Sequence, residues 1–273
     1  MVPLGPQKAP PYNLGLLGGP KVFISPSPSM HQAALAKAGL IGFYTPFDLT
    51  NGDLKASLSS LWQLGFQGLN VTVPLKLLVI PHLNSLSPQA LAIGAVNTLV
   101  ATENGYQGHN TDATGFADAY LTHSGPKALL LGTGGAARAI ASAFSQKFSA
   151  SFICGRDFDK TISVAGHFNL EPLKWSQLSS SGPWDLIVNA TSSSTPTELG
   201  PDKPLVNAVK GGLVVDINYG RHPNYFENLA AGCGASFSDG LPMLAAQARR
   251  SFSLWTNVDP GLEVFLSALS KDN

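Results

Sequence analysis

The stretch KALLLGTGGAARA, Lys127 to Ala139, decides how the chain folds: an apolar strand runs into a glycine turn that opens a helix. Gly132 permits the tight turn, Gly134 lets the backbone approach a pyrophosphate, and the small Ala137 allows close packing of the helix. The amides at the start of that helix, Gly135 and Ala136 among them, are ready-made donors for an anion. A GxGxxA pattern alone carries little weight, and the strand before it and the helix after it supply the rest. The next strand, SFIC, ends in Gly155 and Arg156, where an NAD-binding protein places an acidic residue on the ribose hydroxyls. A guanidinium there pairs with a 2′-phosphate, which points to NADP. The competing reading makes Arg156 a solvated loop cation, with Asp157 capping the next helix and Lys160 on its surface.

Working outward, short apolar runs recur at Tyr12–Leu17, Gly42–Leu49, Gly68–Val73 and Val96–Val100. A second set follows at Ala128–Leu131, Ser151–Cys154, Trp184–Asn189 and Gly212–Ile217. Helix-like stretches lie between most of them, at Ser29–Gly39, Asp53–Leu64, Asp112–His123, Ala136–Phe148 and Asn224–Gly232. This alternation predicts parallel sheets built from crossover units, and the two sets meet at Asn110–Gly115. Asp239–Trp255 reads as one helix with Leu241, Leu244, Ala245, Ala248, Phe252 and Trp255 on a stripe. With Gly261–Leu269 it would return to cover the first domain. The fold class expected is α/β in two domains. The first, residues 1–111 plus 241–273, holds a mainly parallel sheet completed by C-terminal helices; the second, 112–240, is a Rossmann domain for NADP.

Composition removes several classes of function. Lysine plus arginine and aspartate plus glutamate balance at 17 each and only 12% of residues are charged, so no basic footprint for nucleic acid or anionic membrane exists. The uncharged stretch Leu77–Thr102 is broken by Pro81, His82, Asn84, Pro88 and Asn97 and does not suit a membrane span. The opening MVPLGPQKAPPYN lacks the apolar run of a signal peptide, and a cytoplasmic protein is expected. Two cysteines, Cys154 and Cys233, have no CxxC partner and read as small buried side chains; no metal site is expected.

Three segments carry groups able to do chemistry. NVTVPLK, Asn70–Lys76, ends an apolar strand in a proline turn and projects Thr72 and Lys76 from the place where α/β proteins put their sites. A half-desolvated lysine is a competent proton donor and acceptor; the alternative is a lysine whose stem packs while its ammonium reaches water. Asp112 begins a helix and either caps it or faces a cleft between domains. Asn97, within AVNTL, is an amide in a strand and needs a ligand or a neighbouring loop as partner. SPSPSMH, Ser25–His31, offers the hydroxyls of Ser25 and Ser27 in a proline-stiffened loop suited to a carboxylate, or else an N-cap followed by Pro28.

Together these segments resemble the shikimate dehydrogenase family over nearly the whole chain. The ordered set is Ser25–His31, Asn70–Lys76, IGAVNTL at Ile93–Leu99, NTDATG at Asn110–Gly115, GTGGAARA, DLIVNATS at Asp185–Ser192 and DGLPMLAAQA at Asp239–Ala248. The resemblance implies a substrate domain and an NADP-binding Rossmann domain. It implies Lys76 and Asp112 as the catalytic pair, and Ser25 and Ser27 on the substrate carboxylate. Thr72, Asn97, Tyr219 and Gln247 would contact the rest of the substrate. Gly132, Gly134, Gly135, Ala136, Arg156, Thr191, Gly240 and Met243 would hold the cofactor. The implied reaction is 3-dehydroshikimate plus NADPH to shikimate plus NADP, with Lys76 moving the proton on the oxygen and the protein orienting the partners. Departures stand after Tyr219, where GRHPNYFENL lacks the family's Thr-Pro pair, and at Ser192–Pro196, where the usual glycine turn is absent. A quinate dehydrogenase of the same fold is the nearest alternative, and a non-catalytic NADP-binding sensor is the alternative of another class. A folate-linked dehydrogenase would leave SPSPSMH and DGLPMLAAQA unexplained. The expected partner is a small-molecule substrate, with the chain a monomer or homodimer.

Overall fold

The computed structural model describes residues 11–121, 125, 127–145, 147–195 and 209–270. Met1–Pro10, His123 at the end of one expected helix, and Pro196 of the atypical turn lie outside the described residues. Two compact units emerge: Met1–Ser87 with Val96–His109 and Ala248–Asn273, and Pro88–Ala95 with Asn110–Gln247.

The first unit is built on strands β1 (Tyr12–Gly18), β2 (Gly42–Asp48), β3 (Phe66–Val71), β4 (Ser85–Leu86), β5 (Thr98–Thr102) and β6 (Gly105–His109), in the order β2-β1-β3-β5-β6-β4. Helices α1 (Ser27–Lys37), α2 (Leu54–Gln63) and the single turn α3 (Leu75–Leu78) lie between them. β1 pairs in parallel with β2 and β3, as the alternation predicts. β5, however, runs antiparallel to both β3 and β6. The cause is local: Thr102 pairs with Gly105 across the two-residue turn Glu103-Asn104, and Gly105, at φ 131°, opens β6. A hairpin therefore stands where a crossover is expected.

The apolar stripe of the C-terminal segment finds its partner in this unit. Its helices, which follow α4 to α9 of the second unit in chain order, are α10 (Leu241–Thr256) and α11 (Leu262–Leu269). Trp255 donates its indole N–H to the Leu99 carbonyl at 2.9 Å and lies so close to Gly68 that a Cβ there would come within 2.4 Å of the indole. Phe252, Trp255 and Phe265 enclose His31, which is fully buried and stacks on Tyr44 with centroids 4.4 Å apart and 7° between planes.

The second unit holds strands β7 (Lys127–Leu131), β8 (Ala150–Cys154), β9 (Glu171–Leu173), β10 (Trp184–Asn189), β11 (Val209–Asp216) and β12 (Ser236–Ser238) in the order β9-β8-β7-β10-β11-β12. Every neighbouring pair is parallel. Its helices are α4 (Pro88–Ile93), α5 (Asp112–Tyr120), α6 (Gly135–Phe144), α7 (Phe158–Phe168), α8 (Leu178–Ser181) and α9 (Tyr225–Cys233). Alternate residues face opposite layers: Leu130, Val188 and Val215 pack with Ile140 and Phe144, and Leu129, Ile187 and Val214 with Trp184 and Phe226. Burial on both faces explains why these strands read as continuous apolar runs. The order is that of a doubly wound dinucleotide-binding sheet, whose direction reverses between β7 and β10.

Eight residues outside the main run belong to this second unit. Ile93 and Ala95 are buried against Ala113 and Ala139. Arg138 donates to the Ile93 carbonyl at 2.9 Å, and the His167 ring nitrogen bonds the Ala92 carbonyl at 2.7 Å, so the exposed end of α4 is capped by side chains of α6 and α7.

Candidate active site

In the first unit three expected segments gather at one edge of the sheet. The loop carrying Ser25 and Ser27 follows the carboxyl end of β1, and Thr72–Lys76 follows that of β3. Because β5 runs antiparallel, Asn97 at its start lies at the same edge. Backbone bonds tie them together: Thr72 N–H to Leu17 O at 2.8 Å, Val71 N–H to Asn97 O at 2.8 Å, and Val96 N–H to Lys76 O at 2.9 Å. Lys76 is half-buried in α3, with Leu75 and Val79 packed inward and Leu77 and Leu78 exposed. Lys76 is thus desolvated on one side only.

Ser27 is not an N-cap. Pro26 occupies that position without a side-chain bond, and the Ser25 hydroxyl accepts from Ser27 N–H at 3.2 Å and donates to the Ser27 hydroxyl at 3.1 Å. Asn97 precedes β5 rather than lying within it; it is 2% exposed and accepts from the Thr98 hydroxyl at 2.9 Å. Beneath this edge Tyr44 donates to Asn70 Oδ1 at 2.8 Å, while Asn70 Nδ2 donates to Ser251 Oγ at 3.0 Å and to Asn97 O at 3.2 Å. Burial holds the His31 imidazole down at about 3, with the Asn70 side chain acting in the opposite sense. Burial also raises the Tyr44 phenol well above its ordinary value. Both rings stay neutral at physiological pH.

In the second unit the expected residues fall directly after the carboxyl ends of successive strands. Gly132 follows β7 at φ 114°, its N–H bonded to Cys154 O at 2.8 Å, and a Cβ there would meet the Ala190 carbonyl at 2.8 Å. Gly134 caps α6 without any side-chain bond, and a Cβ on it would meet nothing within 4 Å. The cradle is therefore open where an anion would approach the amides of Gly135 and Ala136. Gly155 packs against Thr133 of the glycine turn, which leaves Arg156 exposed beside it. Asp157 caps α7 by accepting from Lys160 N–H at 3.1 Å, and Lys160 Nζ lies 3.5 Å from its carboxylate. Lys160 is thereby engaged locally, whereas Arg156 is the cation presented at the turn.

Asp112 is 3% exposed in the first turn of α5, where the helix dipole favours a carboxylate. The cap reading fails for it. Asn110 Oδ1 performs that job, accepting from Asp112 N–H at 3.0 Å and Ala113 N–H at 3.3 Å. Gln247 is 8% exposed on α10, with Thr111 Oγ1 3.5 Å from its Oε1, and a Cβ on Gly115 would meet its backbone nitrogen at 2.8 Å. Met243 is 6% exposed within the apolar layer of Ile140 and Val188. Gly240 presses so closely on the Ile217 carbonyl that a Cβ would stand 1.9 Å from it.

After β10 and β11 the sequence reading named Thr191 and Tyr219 but missed what holds them. Thr191 Oγ1 donates to Asn189 Oδ1 at 2.7 Å, and Asn218 Nδ2 donates to Thr191 O at 3.0 Å. Asp216, completely buried, accepts from Asn189 and Asn218. The departure after Tyr219 is locally repaired, because Asn224 caps α9 by accepting from Phe226 N–H at 2.9 Å. The cue available in the sequence was an aspartate at the end of an apolar strand, Asp216, with asparagines two and eight residues on and another, Asn189, ending the apolar run before it. Of the two cysteines Cys154 is buried, its thiol pushed up to about 12, and Cys233 is only partly so. Among the described residues no His, Cys, Asp and Glu side chains group as a metal site, and no helix is long and apolar enough to cross a membrane.

Comparison with known proteins adds a second line of evidence. Residues 17–99 match the family model for the shikimate dehydrogenase substrate binding domain, and residues 240–269 that for the shikimate 5'-dehydrogenase C-terminal domain. The shikimate dehydrogenase (NADP(+)) of Acidiphilium cryptum is 34% identical over 252 residues, 90% of this chain and 91% of that enzyme. The one from Moorella thermoacetica is 37% identical over 264 residues, 89% of this chain and 87% of that enzyme. Among solved structures, shikimate 5-dehydrogenase from Thermus thermophilus in complex with NADP(H) and shikimate superposes with a TM-score of 0.82 at 34% identity, covering 96% of this chain and 100% of that one. Quinate dehydrogenase from Corynebacterium glutamicum in complex with NAD gives 0.84 at 27% identity, covering 96% and 99%.

Proposed function

The chain belongs to the shikimate dehydrogenase family, and on that footing we propose how its residues interconvert 3-dehydroshikimate and shikimate. It is an NADP-dependent oxidoreductase acting on a CH–OH group. The first unit is read as the substrate domain and the second as the NADP domain, with the working division 1–111 plus 241–273 against 112–240. The observation that carries the site assignment is the gathering of Thr72, Lys76 and Asn97 at one sheet edge, tied by backbone hydrogen bonds, with the paired hydroxyls of Ser25 and Ser27 on the loop that follows β1.

The residues of the second unit fit NADP. Gly132 and Gly134 leave room for the pyrophosphate, Gly135 and Ala136 offer amides, and Arg156 suits the 2′-phosphate. Thr191, Gly240 and Met243 take the nicotinamide side. When bound, NADPH supplies the hydride. The work of the protein is to bind, orient and move a proton. Ser25 and Ser27 hold the substrate carboxylate, Thr72, Asn97 and Gln247 its ring hydroxyls, and Tyr219 is the further substrate contact. Lys76 gives the ketone oxygen its proton in reduction and takes it back in oxidation, and Asp112 is the carboxylate of the catalytic pair. Handling diffusible small molecules, the enzyme works in the cytoplasm as a monomer or homodimer.

The test is NADP reduction by purified protein with shikimate, with quinate and NAD as parallel substrates. Turnover should depend on shikimate, and Lys76→Ala should lower kcat by about 10²–10⁴ while shikimate still binds. Oxidation of neither acid by protein that binds NADP overturns the reading; a preference for quinate replaces the substrate.

A further inference from the structure

The buried aspartate between the last three strands has no role in the reaction as described. Asp216 ends β11 with no exposed surface, and four N–H bonds converge on its two oxygens. Oδ1 accepts from Asn189 Nδ2 at 2.8 Å, from Asn218 N–H at 3.1 Å and from Asn218 Nδ2 at 2.8 Å. Oδ2 accepts from Asn224 Nδ2 at 2.9 Å. All four partners are donors, which suits an acceptor-only carboxylate and no neutral side chain of the same shape.

The three residues that supply these donors belong to different segments around the site. Asn189 holds Thr191 through its Oδ1, accepting from both the Thr191 N–H at 3.1 Å and its hydroxyl. Asn218 precedes Tyr219, donates to the Thr191 carbonyl, and accepts from Gly240 N–H at 3.2 Å. Asn224 starts α9. One carboxylate thus fixes the segments carrying Thr191, Tyr219 and Gly240 to a single point that no ligand can reach.

We propose that Asp216 is a positioning residue for the nicotinamide side of the site, acting through Asn189 and Asn218 on Thr191, Tyr219 and Gly240. The proposal rests on the reading that these three residues line the cofactor and substrate. Asp216→Asn keeps the size but puts an amide against an amide, and a reciprocal exchange can restore the match. In the double variant Asp216→Asn/Asn224→Asp the amide introduced at position 216 donates to the carboxylate introduced at position 224, which still caps α9 because aspartate is as good an N-cap as asparagine. Oδ1 of residue 216 keeps its three donors.

The experiment measures NADPH Kd by fluorescence titration and amide hydrogen exchange over residues 189–193 and 216–219 of the ligand-free protein. Asp216→Asn should weaken NADPH about tenfold, the scale of one unpaired buried donor, and speed exchange in both segments. The reciprocal double variant should return both readouts to near the wild-type values, which loss of general stability would not do. Asn224→Ser, which removes one donor and keeps the cap, is the milder variant should Asp216→Asn fail to fold, and should show the same two changes to a lesser degree. Unchanged Kd and exchange in the single variants, or a double variant no better than Asp216→Asn, overturns the proposal. Wild-type protein that does not bind NADPH refutes the family-based reading instead, and the exchange comparison still decides the role of Asp216.

Discussion

Acid should destabilise this protein through one histidine. His31 is fully buried, its ring held down at about 3 by burial, against 6.5 for a free histidine. Above 6.5 the ring is neutral whether the chain is folded or not, and the side chain contributes nothing to the pH dependence. Below 6.5 the unfolded chain takes up a proton that the folded chain refuses, so stability falls with pH until the folded value is reached. The slope is about 1.4 kcal/mol per pH unit, which amounts to roughly 2 kcal/mol between neutral pH and about pH 5. His31→Phe isolates this contribution, since phenylalanine can keep the stack on Tyr44 and neither ring nitrogen makes a well-formed hydrogen bond that it would remove. Urea unfolding of both proteins at neutral pH and at about pH 5 provides the comparison. Asp239, whose carboxyl burial raises, and His109, whose imidazole burial lowers, titrate in both proteins and cancel from the difference. The variant should gain about 2 kcal/mol on the wild type over that interval. A stability difference that stays constant with pH would show that His31 is hydrated or protonated in the folded state and refute the argument.

The glycine turn yields a paired prediction. Gly132→Ala forces a side chain into φ 114° and against the Ala190 carbonyl, and should cost the ligand-free protein about 1–3 kcal/mol in a melting experiment. Gly134→Ala points its methyl into open space and should change that melt by less than about 1 kcal/mol, the loss at the N-cap being offset by a stiffer unfolded chain, while weakening NADP at least about tenfold by titration. Equal effects on both readouts from both variants would dissolve the distinction. Arg156→Ala should raise the NADP Kd about tenfold or more and leave NAD unchanged, since only the 2′-phosphate loses its charged partner. A parallel loss for both cofactors would assign Arg156 to a shared part of the molecule.

Most of the second unit was legible because the middles of its central strands, buried on both faces, are unbroken apolar runs. Leu129–Leu131 and Ile187–Val188 could be read at sight, and the glycine turn marked their connection. The three-residue strands Glu171–Leu173 and Ser236–Ser238 were not, being too short to show a period. In the first unit Gly105–His109 does not read as a strand, because GYQGH is rich in glycine and gains its ladder only by pairing back on β5 as a hairpin. Among site residues, the strand-end glycines and Lys76 could be named from their positions after apolar runs. The residues that hold them could not. Tyr44, Asn70 and Asp216 act across many intervening residues, and a buried acceptor looks the same in sequence as a surface one until its donors are seen.

The eight residues Pro88–Ala95 have a consequence for inheritance. They sit within the sequence of one unit yet pack with the other, Ile93 and Ala95 closing over Ala113 and Ala139 while Arg138 and His167 hold the end of α4. The cofactor half is therefore not a contiguous stretch of gene. A recombination that replaced residues 110–247 alone would leave this octapeptide facing a foreign helix, with its carbonyls and apolar side chains matched to residues no longer there. Exchange of cofactor halves between relatives therefore has to carry Pro88–Ala95 along with 110–247, or else keep apolar side chains at 93 and 95 and carbonyl-binding side chains at 138 and 167.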